Sequence, residues 1–126
     1  IDAPETTQDY GLTSKTNLNN LILNKNVQLK CLKNPDLYGR MVCKVFLKQP
    51  NKELLFVNEW MIQNGNAWHY SQYDNELESI QRLKTLQDKA QQNKLGLWGT
   101  KFKPIEPWIY RKNKKLNINQ LKHTRI

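Results

Sequence analysis

Two short runs of alternating residues stand either side of a turn-rich loop, and this limits the chain's middle to antiparallel pairing. Val27, Leu29 and Cys31 alternate with Gln28 and Lys30, and Met41, Cys43 and Val45 follow the same rhythm around Lys44. A period of two places such residues on one face of a strand. Between them lie Asn34-Pro35-Asp36-Leu37-Tyr38-Gly39, a run of turn formers, so the second strand returns along the first. If the hairpin is centred on Leu37, Cys31 and Cys43 sit opposite each other at about 4.5 Å between Cα atoms, a distance that a disulfide spans. A register slip of one residue would instead leave two thiols acting as small buried hydrophobes. The cysteines lack the paired CxxC form, and His69 and His123 are far away in sequence, so no metal site is read from them.

The remaining pattern is helical. From Gly11 onward Leu12, Leu18, Leu21 and Ile22 recur near the helical period, with Thr13 or Ser14 available as N-cap and Asn24 and Asn26 as terminators. Gln49-Pro50-Asn51-Lys52 reads as a turn and Glu53–Phe56 as a short strand. Val57–Asn64 predicts a short helix closed by Gly65. The longest helix is expected over Glu76–Asn93, its core stripe made of Leu77, Ile80, Leu83, Leu86 and Ala90 and its end marked by Gly96. Trp60, Trp68 and Trp98 read as core, and His69 as structural or solvent-facing. Residues 1–100 are taken as one domain and residues 101–126, with Pro104 and Pro107, as a loosely packed basic extension.

Charge separates those two parts. Residues 1–100 carry twelve basic and ten acidic side chains, whereas 101–126 carry eight and one, and the whole chain of 126 residues is +9. A basic block on a near-neutral body suits a polyanion: nucleic acid, an anionic membrane surface or an acidic protein. The bland reading is a solvated tail. No apolar run approaches the ~18 residues of a membrane span. The chain opens on Ile1 rather than Met, which leads to the expectation of further sequence upstream.

Three groups of residues carry chemistry. Asp2 and Glu5 flank Pro4, so a rigid turn can present two carboxylates to one site, a pair suited to a hard cation and a general base. Asp36-Leu37-Tyr38-Gly39-Arg40 puts a guanidinium at the start of a strand, where it can clamp a phosphate through two hydrogen bonds. The plainer alternatives are a turn carboxylate at Glu5 and, at Arg40, a simple ion-pair partner for Asp36. Val57-Asn58 leads through Gly65-Asn66-Ala67 to Gly96-Leu97-Trp98. Together with Ile1-Asp2-Ala3-Pro4-Glu5 and Tyr10-Gly11, this ordered set resembles the staphylococcal nuclease-like family, and Pro107-Trp108 followed by Arg111 resembles the ending of many bacterial members.

The resemblance implies an α+β fold, an OB-type antiparallel β-barrel packed with three α-helices, and hydrolysis of phosphodiester bonds in DNA and RNA, usually with calcium. Asp2 and the carbonyl of Ala3 would be metal ligands. Glu5 would activate water and Arg40 would stabilise the reacting phosphate. Tyr38 would bind a substrate phosphate. Tyr70 and Tyr73 are further candidates for substrate contact, or else cover the barrel end. Members carry another acidic ligand and a second phosphate-binding Arg before the IDxPE motif, so the barrel is expected to be incomplete in this chain. A missing N-terminal segment or a partner chain would complete it. Leu37 and Ser71 depart from the basic residue and the stacking Tyr of several members. The competing function is a catalytically inactive structural or nucleic-acid-binding subunit of a larger assembly, and a third is a membrane-surface protein held by the basic tail.

Overall fold

The computed structural model describes residues 1–74 and 76–123, with side chains other than those of Tyr73 and of residues 118–123. Along the chain run α1 (Gly11–Ile22), β1 (Val27–Cys31), β2 (Cys43–Leu47), β3 (Leu55–Phe56), α2 (Val57–Gln63), α3 (Leu77–Gln92) and α4 (Pro107–His123), with 3-10 turns at Ser71–Tyr73 and Gly96–Gly99. The expected α+β class is found, as one open antiparallel sheet of order β1-β2-β3 rather than a closed barrel. Among the described residues the helices number four, not three. No helix there is long and apolar enough to cross a membrane.

The hairpin has the register that its turn residues predict. Val27 pairs with Leu47 and Cys31 with Cys43, and the two cysteines are joined as a disulfide. Across β2 and β3, Phe46 faces Phe56 with ring centroids 5.1 Å apart, a cross-strand aromatic pair of the kind that stabilises sheets. Asn58 of α2 then extends the ladder, accepting the Val45 N–H at 2.8 Å and donating to the Cys43 carbonyl at 3.0 Å. An amide side chain here takes the place of a backbone group.

The core lies beneath α2, where Leu47, Val57, Met61, Ile62, Ala67 and Leu83 are buried together. Leu18, Leu21, Val27, Val45 and Trp60 close around it. Not every expected core residue is covered. Leu29 and Leu77 are exposed, because nothing in the described chain lies over that end of β1 or over the start of α3. Of the tryptophans, Trp68 is buried while Trp60 and Trp98 are half-buried. The N-cap expectation for α1 also fails. Tyr10, in the left-handed conformation, precedes the helix, and the buried Ser14 hydroxyl donates instead to the Asn66 carbonyl at 2.6 Å.

Gly65 closes α2 with positive φ as expected, whereas α3 stops at Gln92, with Lys94 in the left-handed conformation just beyond it. Gly96, also at positive φ, opens the 3-10 turn and meets Gly65. A Cβ on Gly65 would stand 2.1 Å from the Leu95 carbonyl oxygen, and one on Gly96 would stand 2.3 Å from the Gly65 oxygen. The Leu97 N–H donates to that same Gly65 oxygen at 2.8 Å. Only glycine gives both the φ and the close backbone approach.

The expectation of a loose extension after residue 100 is corrected at Pro107, where α4 begins. Proline is well placed there, since its missing N–H falls at a helix position that has no partner anyway. Pro107 is buried, and Trp108 packs edge-on against Trp68 at 5.9 Å, which in turn meets Trp98 at 4.4 Å. Aromatic area, rather than charge, docks the first turn of this basic helix onto the body.

Candidate active site

The segment Ile1–Glu5 is pinned at both ends. Asp2 and Trp68 exchange two backbone hydrogen bonds of 2.8 Å each. Beyond the buried Pro4, the Glu5 carbonyl accepts the Gln8 N–H at 2.8 Å, and the Gln8 side chain accepts the Glu5 N–H at 2.9 Å. Gln8 also donates to the Ile105 carbonyl. The carboxylates of Asp2 and Glu5 therefore sit on a backbone with little freedom.

The Asp36–Arg40 loop is built around one carboxylate. Asp36 Oδ1 accepts the N–H groups of Tyr38 and Arg40, each at 2.9 Å, while Oδ2 accepts Arg40 Nε at 2.9 Å. Burial alone would raise the Asp36 carboxyl, but these backbone and guanidinium donors hold it below the ordinary carboxylate range. The plain Arg40–Asp36 ion pair is thus present. It takes up only Nε and leaves the Arg40 side chain 59 % exposed.

These parts meet in one cleft of about 640 Å³. Asp2, Ala3, Glu5, Tyr38, Arg40 and Tyr70 all line it. The side chain of Ala3 also packs against the core. Tyr38 is largely exposed, with the Arg40 guanidinium 5.2 Å from its ring centroid. Tyr70 stacks on Trp108 at 4.7 Å with an interplanar angle of 11°, and its hydroxyl donates to Gln72. It thus belongs to the seat of α4 as well as to the cleft. The side chain of Tyr73 lies outside the described residues.

Arg111 joins the cleft without having been expected there. Its Nη2 lies 2.6 Å from Asp2 Oδ2, and its Nη1 lies 2.8 Å from Glu5 Oε1 and 3.3 Å from Asp2 Oδ1. The same guanidinium is 5.8 Å from the Tyr38 ring centroid, so Tyr38 lies near two arginines. Hydrogen bonds donated to Asp2, opposed by burial and helped by those to Glu5, hold Arg111 above the usual arginine range. Its Nε is buried with no partner among the described residues. The signal lay in the Pro107-Trp108-x-x-Arg111 spacing, which starts a helix with Trp and Arg about one turn apart.

Calcium does not fit the described residues as they stand. It takes six to eight oxygen ligands. No group of three or more His, Cys, Asp and Glu comes together among the described residues, and both cleft carboxylates are already engaged by Arg111.

His69 has a carboxylate partner five residues further along the chain. Its Nε2 lies 3.0 Å from Asp74 Oδ2, which also accepts the Ser79 hydroxyl at 3.0 Å. Both Ser79 and His69 bond to the same carboxylate rather than to each other, which is not the order a nucleophilic serine needs. The group is structural, in line with the reading of His69 from sequence, and it ties the Tyr70 turn to α3.

Comparison with known proteins decides the family. Residues 1–100 match the model of the staphylococcal nuclease homologue family. This chain belongs to that family. An uncharacterized endonuclease of Escherichia coli O157:H7 is 38 % identical over 114 residues, covering 90 % of this chain and 68 % of the relative. A Haemophilus influenzae protein, likewise named an uncharacterized endonuclease, is 36 % identical over 118 residues, covering 94 % of this chain and 60 % of its own length. The staphylococcal-like nuclease CAN1 of Arabidopsis thaliana is 36 % identical over 119 residues, covering 91 % of this chain and 32 % of the plant protein. The chain thus spans about two thirds or less of these relatives.

Proposed function

We propose that the whole protein is a phosphodiesterase acting as an endonuclease on DNA and RNA, with this cleft as its active site. One observation carries the reading: the Asp2–Glu5 and Tyr38–Arg40 pairs, more than thirty residues apart in sequence, line a single cleft. In the reaction Glu5 takes a proton from water, the hydroxide forms the new P–O bond, and the ester P–O bond breaks, the leaving oxygen taking a proton from solvent. Arg40 faces the phosphate, where its terminal nitrogens stabilise the charge that builds on the non-bridging oxygens. Asp36 holds Nε and so aims the fork. Tyr38 beside it offers a hydroxyl to a neighbouring phosphate. The calcium requirement implied by the resemblance is part of this proposal, with Asp2 and the Ala3 carbonyl as ligands joined by others from outside the described residues.

The second reading, a catalytically inactive nuclease-like subunit, is favoured by the Arg111 contacts, which neutralise both carboxylates. Cleavage assays on full-length protein separate the two. Single-stranded DNA and RNA should be cut with calcium and left intact after chelation, and Glu5→Gln should lower the rate by about 10²–10⁴. A full-rate Glu5→Gln protein overturns the mechanism. Binding without cleavage selects the inactive subunit.

A further inference from the structure

The Asp2–Glu5 pair already holds a cation, and that cation belongs to the chain. Arg111 meets both carboxylates within hydrogen-bond distance, and its side chain is 17 % exposed against 14 % for Asp2. Bulk water and salt screen the Asp2 contact only weakly, while Glu5, 38 % exposed, is screened more. The helix that carries Arg111 is placed by other residues. Trp108 stacks on Tyr70, and the Tyr110 and Thr7 hydroxyls share a hydrogen bond of 2.6 Å. A free divalent cation and a guanidinium cannot use the same carboxylate oxygens, because like charges a few ångströms apart repel strongly in a partly buried site.

We propose that Arg111 is a tethered cation on α4 that competes with a free divalent cation for Asp2 and Glu5, so that docking of α4 sets the cation demand of the cleft. The misfit with calcium then has a definite cause: the pair is occupied from within. Its link to catalysis rests on the proposed hydrolytic function, but the competition itself does not.

Calcium chloride titrated into the full-length protein by calorimetry tests the competition, and the calcium concentration giving half-maximal cleavage tests its link to activity. Arg111→Met should tighten calcium binding and lower that concentration, each by about tenfold or more, as expected when charged hydrogen bonds no longer hold the site's oxygens. Arg111→Lys keeps a cation on α4 and should lie nearer wild type. Trp108→Leu weakens the docking alone and should shift both values in the Arg111→Met direction, which decides the matter if Arg111→Met does not fold. Unchanged or weaker calcium binding in the folded variants overturns the proposal, as does an absence of calcium binding in every variant. Tighter binding in Arg111→Met with no cleavage by any protein leaves the tethered cation standing and removes the hydrolytic reading.

Discussion

A Cβ placed on Gly11 would lie 1.8 Å from the carbonyl oxygen of Glu5. The first residue of α1 is thus the floor on which the candidate base rests. Gly11→Ala should push the Glu5 backbone outward, since carbonyl oxygen and methyl cannot interpenetrate. The expected destabilisation is about 1–3 kcal/mol, typical of overpacking, with a fall in cleavage beyond what the unfolded fraction explains. Thermal unfolding and initial rates on the same sample check this; a variant of wild-type stability and rate would show that the segment is free to move.

The Cys31–Cys43 bridge should remain closed in protein that has never been reduced. Titration of such protein after unfolding in denaturant should find no free thiol, and two free thiols would reject the bridge. The bridge closes a short loop, separation 12, so replacing both cysteines with serine should cost about 2–4 kcal/mol. Denaturant midpoints at constant slope give that number.

Asp74 should make stability depend on acid. Burial alone would raise its carboxyl, but hydrogen bonds from His69, Ser79 and the Glu76 N–H hold it below the usual value. A carboxyl lower in the folded than in the unfolded state contributes stability above the unfolded value, and that contribution fades as pH falls through the folded one. Asp74→Asn should therefore be less stable at pH 7 by about 1–3 kcal/mol. The gap to wild type should narrow below pH ~4. Unfolding curves spanning the acid range to neutrality test the sign, and a gap that widens toward acid would refute it.

Removing residues 112–126 takes away five basic side chains, among them the exposed Lys112, Lys114 and Lys115, but spares Trp108 and Arg111. The shortened protein should keep its fold and bind single-stranded DNA more weakly. Its binding should also depend less on salt, because each phosphate left unneutralised keeps its counterions. The log–log slope should fall by about 0.9 per such phosphate on a duplex and by about 0.7 on a single strand. Equal slopes for the two proteins would exclude the end of α4 from binding.

Local pattern alone determined much of this molecule. The period of two set the β1–β2 pairing, and turn residues centred on Leu37 set its register, because both act through neighbours a few residues apart. Gly65 marked the end of α2 for the same reason: the conformation required is that of a single residue. The ordered motifs around Asp2, Glu5, Tyr38 and Arg40 also named most of the cleft. What only the tertiary structure decided is long-range. Asp2 and Arg111 are 109 residues apart, and neither sequence neighbourhood records the other. Leu12, Leu29 and Leu77 fit their periodic stripes yet are exposed, since periodicity gives a face and not what covers it. The basic run after residue 100 read as loose because its charges could be counted and the burial of Pro107 and Trp108 could not. A charge excess is a property of composition, whereas docking depends on a surface assembled from Trp68, Tyr70 and Trp98, which only the folded chain brings together.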